Sequence, residues 1–597
     1  MIARRIGTVL ATLAIAGFAA PAAAFAHAQL LGTSPARGAV LTRAPASVVF
    51  RFSEPVEANF GAVRVYDAAG RRVDDARVFR PQGHSDQVAV GLRDGIGDGG
   101  YTAAYRVISA DGHPVEGGTT FTVGHAAAPA RSVAAVLGNA GPGPATDIVF
   151  GIARGATYLA TALTVGVIAF LLIVWSPALR EVATGEPGWR EASQALAGRA
   201  RGILLGGASI GVLSGVVGIV AQGAVAAGSS WWSAADPAIV GKVLGTRFGV
   251  IWGLRVLVFG ALALAVVSLV GQRRWPVLRP AVLGATGLAP APGLSVPKRT
   301  LVVLPALLLA VAPALAGHAA TEHPIAVLMP LDIAHVLAMS VWLGGLLALL
   351  TLVPAATRRL EGGNRSAALA GVLVRFSPLA LGCVAALLVT GLGQAYVDVR
   401  HLDALTSTAF GRAVLIKAGL LLALVALGAV NRRRVVPALR RIAAHNQAPG
   451  VPGVLLRRTL RAEVALLVVV LGVTSALVSY APPVSATRGP FSATTRMGPI
   501  ETQLTVDPAA VGANQLHIYL FDARTGAQFT GTKQLTVTAA QPHHGIGGLG
   551  VTMHRAGPGH YLSDGLQLVP GGSWTVRVTD RVSDFDEYTT TVKVPVR

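Results

Sequence analysis

Residues 328–353 read LMPLDIAHVLAMSVWLGGLLALLTLV, an apolar run whose ionisable side chains are Asp332 and His335. A helix needs ~20 apolar residues to cross the hydrocarbon core of a bilayer, so this stretch predicts a membrane span. Working outward, similar runs lie near 150–176, 202–226, 249–271, 301–317, 376–397, 411–431 and 462–481. Together they predict a polytopic α-helical bundle of about eight spans, the fourth of them short. The stretch 280–297 is apolar but interrupted by proline and flanked by Arg279 and Lys298, and it reads as a loop. Composition agrees. The 597 residues are 52% hydrophobic and 13% charged, where a soluble domain averages about a quarter charged.

The formal net charge of +21 is carried largely by arginines in alternate loops: 180–201, 273–299, 358–365 and 432–461. Lys242, Arg247 and Arg400 are the exceptions in the other loops. Basic loops face the cytoplasm, so this alternation predicts both termini on the external, periplasmic side of the plasma membrane. It also accounts for the basic balance without nucleic acid. Cys383 is the one cysteine and lies in an apolar run, which excludes a disulfide framework and a cysteine-based metal site. No phosphate-binding GxxxxGK[ST] loop or DKTG motif occurs, so ATP-driven pumping has no support.

The flanks differ in character. Residues 1–26 read as a signal peptide: Arg4 and Arg5, an apolar stretch from Ile6 to Ala20, then Ala24-Phe25-Ala26 as a cleavage site. Cleavage there makes His27 the mature N-terminus. Residues 27–124 carry period-two runs at 47–52, 62–66, 101–107 and 119–123, punctuated by Gly, Pro and Asp. They predict an all-β Greek-key sandwich. Residues 125–147 read as a linker, 148–483 as the transmembrane domain, and 484–597 as a second small all-β external domain, with alternation at 503–506, 516–520 and 574–578.

Several residues could carry chemistry. His27 would offer a terminal amine and an imidazole on one residue. Asp111-Gly112-His113 adds a carboxylate and a second imidazole. Nitrogen and oxygen donors in a tetragonal plane suit Cu(II); the alternative is that Asp-Gly-His-Pro is only a turn. In the bundle, Asp332 and His335 share a helical face, Met339 lies one turn further, and His318 and His323 fall at the end of the fourth span. Ionisable groups within spans mark a pathway or a pair, so His318, Asp332, His335 and Met339 are either a relay suited to Cu(I) or an interhelical hydrogen-bond cluster. Lys417 and Glu463 read as a structural ion pair. In the last domain, His543, His544, Met553 and His554 are candidate copper ligands or a solvated loop.

His27-Ala28-Gln29-Leu30, Thr33-Ser34-Pro35-Ala36, Phe52-Ser53-Glu54-Pro55-Val56 and Ser109-Ala110-Asp111-Gly112-His113-Pro114-Val115 together resemble the CopC copper-binding family. That resemblance implies a periplasmic β-sandwich with an N-terminal Cu(II) site at His27, Asp111 and His113, and it gives Glu54 a motif position. Residues 27–124 contain no methionine, so a methionine-rich Cu(I) site is not carried over. The membrane part is similar to the CopD family through Gly317-His318-Ala319, Asp332-Ile333-Ala334-His335, Trp342-Leu343-Gly344-Gly345, Arg375-Phe376-Ser377-Pro378 and Lys417 to Asn431-Arg432. The tail resembles YtkA-like external domains.

A CopC–CopD fusion implies non-enzymatic copper uptake or tolerance. Copper is the cargo, as Cu(II) at the first domain and Cu(I) in the bundle, and the bilayer and periplasmic copper chaperones are partners. Two other functions use the same residues. An N-terminal histidine with a second histidine also resembles the copper centre of polysaccharide monooxygenases. Intramembrane His318 and His335 could ligate haem for electron transfer.

Overall fold

The computed structural model describes residues 28–596 other than 29, 38, 59–62, 111, 113, 125–135, 137–142, 183–186, 228–234, 272–295, 322–323, 400–401, 403, 479–490, 508 and 510. The expected signal peptide, His27, Asp111, His113, His323, most of the linker and the 280–295 stretch therefore lie outside the described residues. The chain forms two compact units: a helical unit, and a β unit holding both sandwiches.

The first sandwich follows its alternation. In β3 (Ser47–Phe52), Val48, Phe50 and Phe52 are buried while Arg51 is exposed; in β5 (Val63–Tyr66), Val63 and Val65 turn inward. Strands β1 (Leu30–Ser34), β3, β7 (Gln87–Leu92) and β6 (Asp74–Phe79) make one sheet, in the order β1-β3-β7-β6. The other is β2 (Val40–Leu41), β9 (Pro114–Val123), β8 (Gly99–Ser109) and β4 (Val56–Glu57), with β5 also on β8. Tyr105 stands in the core against Phe50 and Phe52, ring centroids 5.0 and 5.1 Å away.

The second sandwich packs two sheets around Trp574. One is ordered β10-β11-β12-β16-β15: Phe491–Met497, Ile500–Asp507, Gly512–Asp522, His560–Leu568 and His554–Gly557. The other is ordered β14-β13-β17-β18: Ile546–Val551, Gln534–Gln541, Gly572–Arg581 and Glu587–Val596.

In the helical unit seven helices are long and apolar enough to cross a membrane, among the described residues. They are α1 (Ala145–Leu179), α2 (Glu191–Ala227), α3 (Arg247–Ser268), α5 (Ile325–Thr357), α6 (Gly362–Val399), α7 (Ala409–Ala444) and α8 (Gly450–Leu477). The expected fourth span is α4 (Val296–Ala316), an apolar helix carrying Pro305 and Pro313, whose uninterrupted apolar part, Thr300–Ala316, is shorter than the rest. The first helix begins inside the stretch expected as linker.

Helix α5 crosses α1 at its tightest point where two glycines meet. A Cβ on Gly166 would collide with the Ser340 carbonyl and the Gly344 backbone, and one on Gly344 with the Ala162 carbonyl. Without a water-driven hydrophobic effect between helices, close backbone approach is what holds a membrane bundle together. The crossing lies in a π turn of α1, Ala162–Gly166, where the widened turn lets the backbones nest. On the other side of α5, Gly345 makes room for the Phe376 ring of α6. Adding one methyl at Gly344 must push α1 and α5 apart. Overpacking a tight core costs about 1–3 kcal/mol, so Gly344→Ala should lower the thermal unfolding midpoint of the detergent-solubilised chain by several degrees; an unchanged midpoint would show that the crossing is slack.

Candidate metal centre

Three backbone segments come to one end of the first sandwich. Leu30, just after the expected N-terminus, pairs with Phe52 at the end of β3. The chain then turns through Ser53–Pro55 into β4, where Val56 pairs with Ser109 at the end of β8. The β8–β9 hairpin closes there, with Ile108 opposite Pro114 and the Gly112 amide donating to the Ser109 carbonyl at 2.9 Å. Gly112 has φ of 88°, a left-handed conformation that glycine adopts without cost, which is why glycine stands inside Asp-Gly-His. Ala28 is buried in the core and anchors the start of the chain at this end. Glu54, half-buried, sits on the turn. The described flanks of His27, Asp111 and His113 thus share one pole with Glu54. Tyr105 beneath that pole is not a candidate ligand, because burial pushes its phenol up to about 12 and keeps it protonated.

The second constellation lies between α5 and α6. Asp332 accepts a hydrogen bond from Gln394 Nε2 at 3.1 Å, and one turn further along, His335 Nδ1 lies 2.8 Å from Thr390 Oγ1. Thr390 also donates to the Ala386 carbonyl at 2.7 Å. A hydroxyl has one proton; with that proton on the Ala386 carbonyl, Thr390 accepts from His335 Nδ1–H. The neutral imidazole then carries its free lone pair on Nε2, the state in which histidine ligates a metal. The ring lies against α6 beside Gly391, where a Cβ would stand 3.6 Å from His335 Cε1, an ordinary contact.

Lys417 of α7, His318 in the turn after α4 and Tyr158 of α1 are electrostatic neighbours of Asp332. The expected Lys417–Glu463 ion pair is not formed. Glu463 accepts from Asn431 Nδ2 at 2.6 Å, Asn431 accepts from Thr459 at 2.6 Å, and Lys417 faces Asp332 instead. Glu463 is held at the level of Asn431, fourteen residues along α7 from Lys417, which at ~1.5 Å per residue is about 21 Å along the helix axis. Met339 packs against the core of the bundle. Among the described residues no three His, Cys, Asp or Glu side chains stand together as a ready metal cage, so His318, Asp332 and His335 form an extended polar seam rather than one ligand set.

Comparison with known proteins covers most of the chain. Residues 30–124 match the CopC domain, 145–326 the copper resistance protein D-like N-terminal domain, and 370–477 copper resistance protein D. Protein YobA of Escherichia coli (strain K12) is 33% identical over 99 residues, which are 17% of this chain and 80% of YobA. The chain belongs to the CopC–CopD copper-resistance family. Copper transport protein CutJ of Bacillus subtilis (strain 168) is 29% identical over 574 residues, 95% of each chain. The crystal structure of CopC from Methylosinus trichosporium OB3b is 27% identical, covering 16% of this chain and 93% of that one with a TM-score of 0.15. With its apolar helices, this CopC–CopD chain is a multi-pass membrane protein with a copper-related function.

The tail of the CopC–CopD chain holds its histidines in two places. His543 and His544 are exposed in a single turn, Pro542–His544, before β14, whereas exposed His554 lies on β15 in the opposite sheet. Met553 packs against the sandwich core. The four are therefore spread over two sheets. The histidines that do meet are ones the sequence did not single out. His517 Nδ1 lies 3.2 Å from His560 Nε2, and Tyr519 stacks on His560 with centroids 4.2 Å apart. The rings of His517 and His560 are nearly parallel at 5.5 Å, so the nitrogens face each other in a hydrogen bond.

Burial, with His517 and Arg37 nearby, holds the His560 imidazole down to about 4. Unfolding releases it to an ordinary ~6.5, so below ~6.5 the unfolded state binds more protons and the fold loses stability until pH falls past 4. In denaturant titrations of the full-length protein, stability should fall by on the order of 2 kcal/mol between pH 6.5 and 4, and His560→Gln should flatten that slope. An equally steep slope in the variant would assign the loss to other groups.

Proposed function

We propose that this protein captures Cu(II) outside the cell at the pole of its first sandwich and admits copper to the bundle through the α5–α6 seam. The ligands are the His27 amine and imidazole, Asp111 and His113, with Glu54 close by. The observation that carries the reading is the meeting of the chain start, the Ser53–Pro55 turn and the β8–β9 hairpin at one end of the sandwich. The family membership supports it, as does CutJ, which is named a copper transport protein. The arginine-rich alternate loops support an orientation with both termini outside. The protein acts as a carrier and not as an enzyme, and copper is its cargo.

Within the seam, His335 offers Nε2, an imidazole donor that suits copper in either oxidation state. Thr390 positions it by taking the Nδ1 proton. Asp332 supplies the one carboxylate of the seam, balanced by Lys417 and oriented by Gln394.

Two measurements test this. In the purified full-length protein, His113→Ala should lower Cu(II) affinity by about 10–100-fold, the usual effect of disturbing a metal site's ligand shell, and should change the nitrogen hyperfine pattern of the Cu(II) EPR spectrum; unchanged affinity would leave Asp-Gly-His as a turn. In proteoliposomes, His335→Ala should abolish copper entry while Cu(II) binding at the sandwich persists, and Thr390→Val should slow entry. Wild-type entry in a well-folded His335→Ala protein would reject the seam as a route.

A further inference from the structure

The end of the bundle that carries Asp332 also buries two arginines, Arg154 and Arg255. Arg255, two turns into α3, is 4% exposed, and its Nε and Nη2 find no hydrogen-bond partner among the described residues. Its guanidinium carbon lies 5.0 Å above the Trp252 ring. Arg154 of α1 lies beside the same aromatic group, 4.4 Å above the Phe150 ring, and Phe150 and Trp252 stand 6.1 Å apart. Tyr158 is the electrostatic neighbour of both guanidiniums and of Asp332. The aromatic bed is held firmly: a Cβ on Gly218 of α2 would collide with Trp252.

The groups in place do not balance Arg255. Moving a cation out of water costs several kcal/mol even after relaxation, while a desolvated cation–π contact returns about 2 kcal/mol. Arg154 has Asp147 among its neighbours; among the described residues the titratable neighbour of Arg255 is the Tyr158 phenol. Asp332 is engaged with Gln394 and Lys417. Buried donors without partners in a native structure point to an ion or water that completes them, and a desolvated cation selects an ion of opposite sign.

The pattern of open donors specifies its shape. Nε and Nη2 are the two nitrogens along one side of the guanidinium, and they present parallel N–H bonds that match two oxygens of one planar or tetrahedral oxyanion. We propose that Arg255 forms the bidentate side of an oxyanion site between α1 and α3, taking a carboxylate or phosphate group. Trp252 braces the guanidinium from one face, and Arg154 and Tyr158 complete the walls. The site is separate from the copper seam and stands whether or not copper enters there. The oxyanion comes either from solution or from an anionic lipid headgroup, since Val250, Leu254 and Leu257 around Arg255 are exposed apolar residues of a lipid-facing helix.

The test uses the full-length protein in phosphatidylcholine nanodiscs. Inorganic phosphate and acetate are titrated against chloride at matched ionic strength, and a parallel sample is made in phosphatidylglycerol nanodiscs without added oxyanion. The readout is the thermal unfolding midpoint, because a ligand that binds only the folded state raises it with concentration. Wild type should be stabilised beyond the chloride control in the soluble-anion arm, the phosphatidylglycerol arm or both, and the responding arm identifies the source. Arg255→Lys keeps the charge but loses the fork, and should weaken the apparent affinity at least tenfold. No stabilisation of wild type in either arm overturns the proposal, and this arm needs no variant to fold. An equal response in Arg255→Lys also overturns it.

Discussion

The contact on which the bundle depends is backbone against backbone at Gly166 and Gly344. Lipid gives helices no reason to associate through apolar surface alone, so the position of α5 is fixed where it can approach a neighbour most closely. That crossing, and Phe376 seated on Gly345, fix both the depth and the rotation of α5. Asp332 and His335, two to three turns away on the same helix, inherit their aim at Gln394 and Thr390 from it. A polar pair in a membrane is useful only if both partners arrive at one depth, and here the depth is set by glycines that touch neither of them.

The two units solve opposite problems. The sandwiches bury alternating apolar side chains in water and leave their loops to carry donors, so the pole of the first sandwich is made of turns and a chain end. The bundle must instead satisfy every polar group internally. Several of its polar groups meet across helices: Ser475 and the Gly151 carbonyl, Thr157 and Ser214, and Asn431 between Glu463 and Thr459. The buried guanidinium of Arg255 leaves two donors open on one side, Nε and Nη2.

Much of this was legible from the sequence because its signals are periodic. The run at 47–52 became β3, β5 formed within that at 62–66, and those at 516–520 and 574–578 fell within β12 and β17; the apolar runs became the eight helices, with α4 the short one as its length implied. The asymmetry between Asp332 and His335 and the rest of their span also survived. What spacing could not supply was depth and rotation. Lys417 and Glu463 looked like a pair because they lie on neighbouring spans, yet an offset in depth gives each a different partner. His517 and His560 are 43 residues apart and meet only because β12 and β16 pair in one register, with Tyr519 opposite His560. Conversely, His543 and His554 are close in sequence and divided between sheets. Arg154 and Arg255 sat inside predicted spans, but nothing in a one-dimensional pattern says that their side chains turn inward to the same aromatic bed.

The single proton of Thr390 has a consequence for charge movement. Because that hydroxyl is committed to the Ala386 carbonyl, His335 keeps its own proton on the nitrogen facing α6 and has none to release from the other. A cation arriving at Nε2 displaces nothing and adds its full charge to the seam. Under the proposed capture at His27 the opposite would hold, because a terminal amine gives up a proton when it takes a metal. On that reading proton release would accompany capture outside the bilayer, whereas a cation taken up at His335 would add its charge within the span, where a membrane voltage is felt.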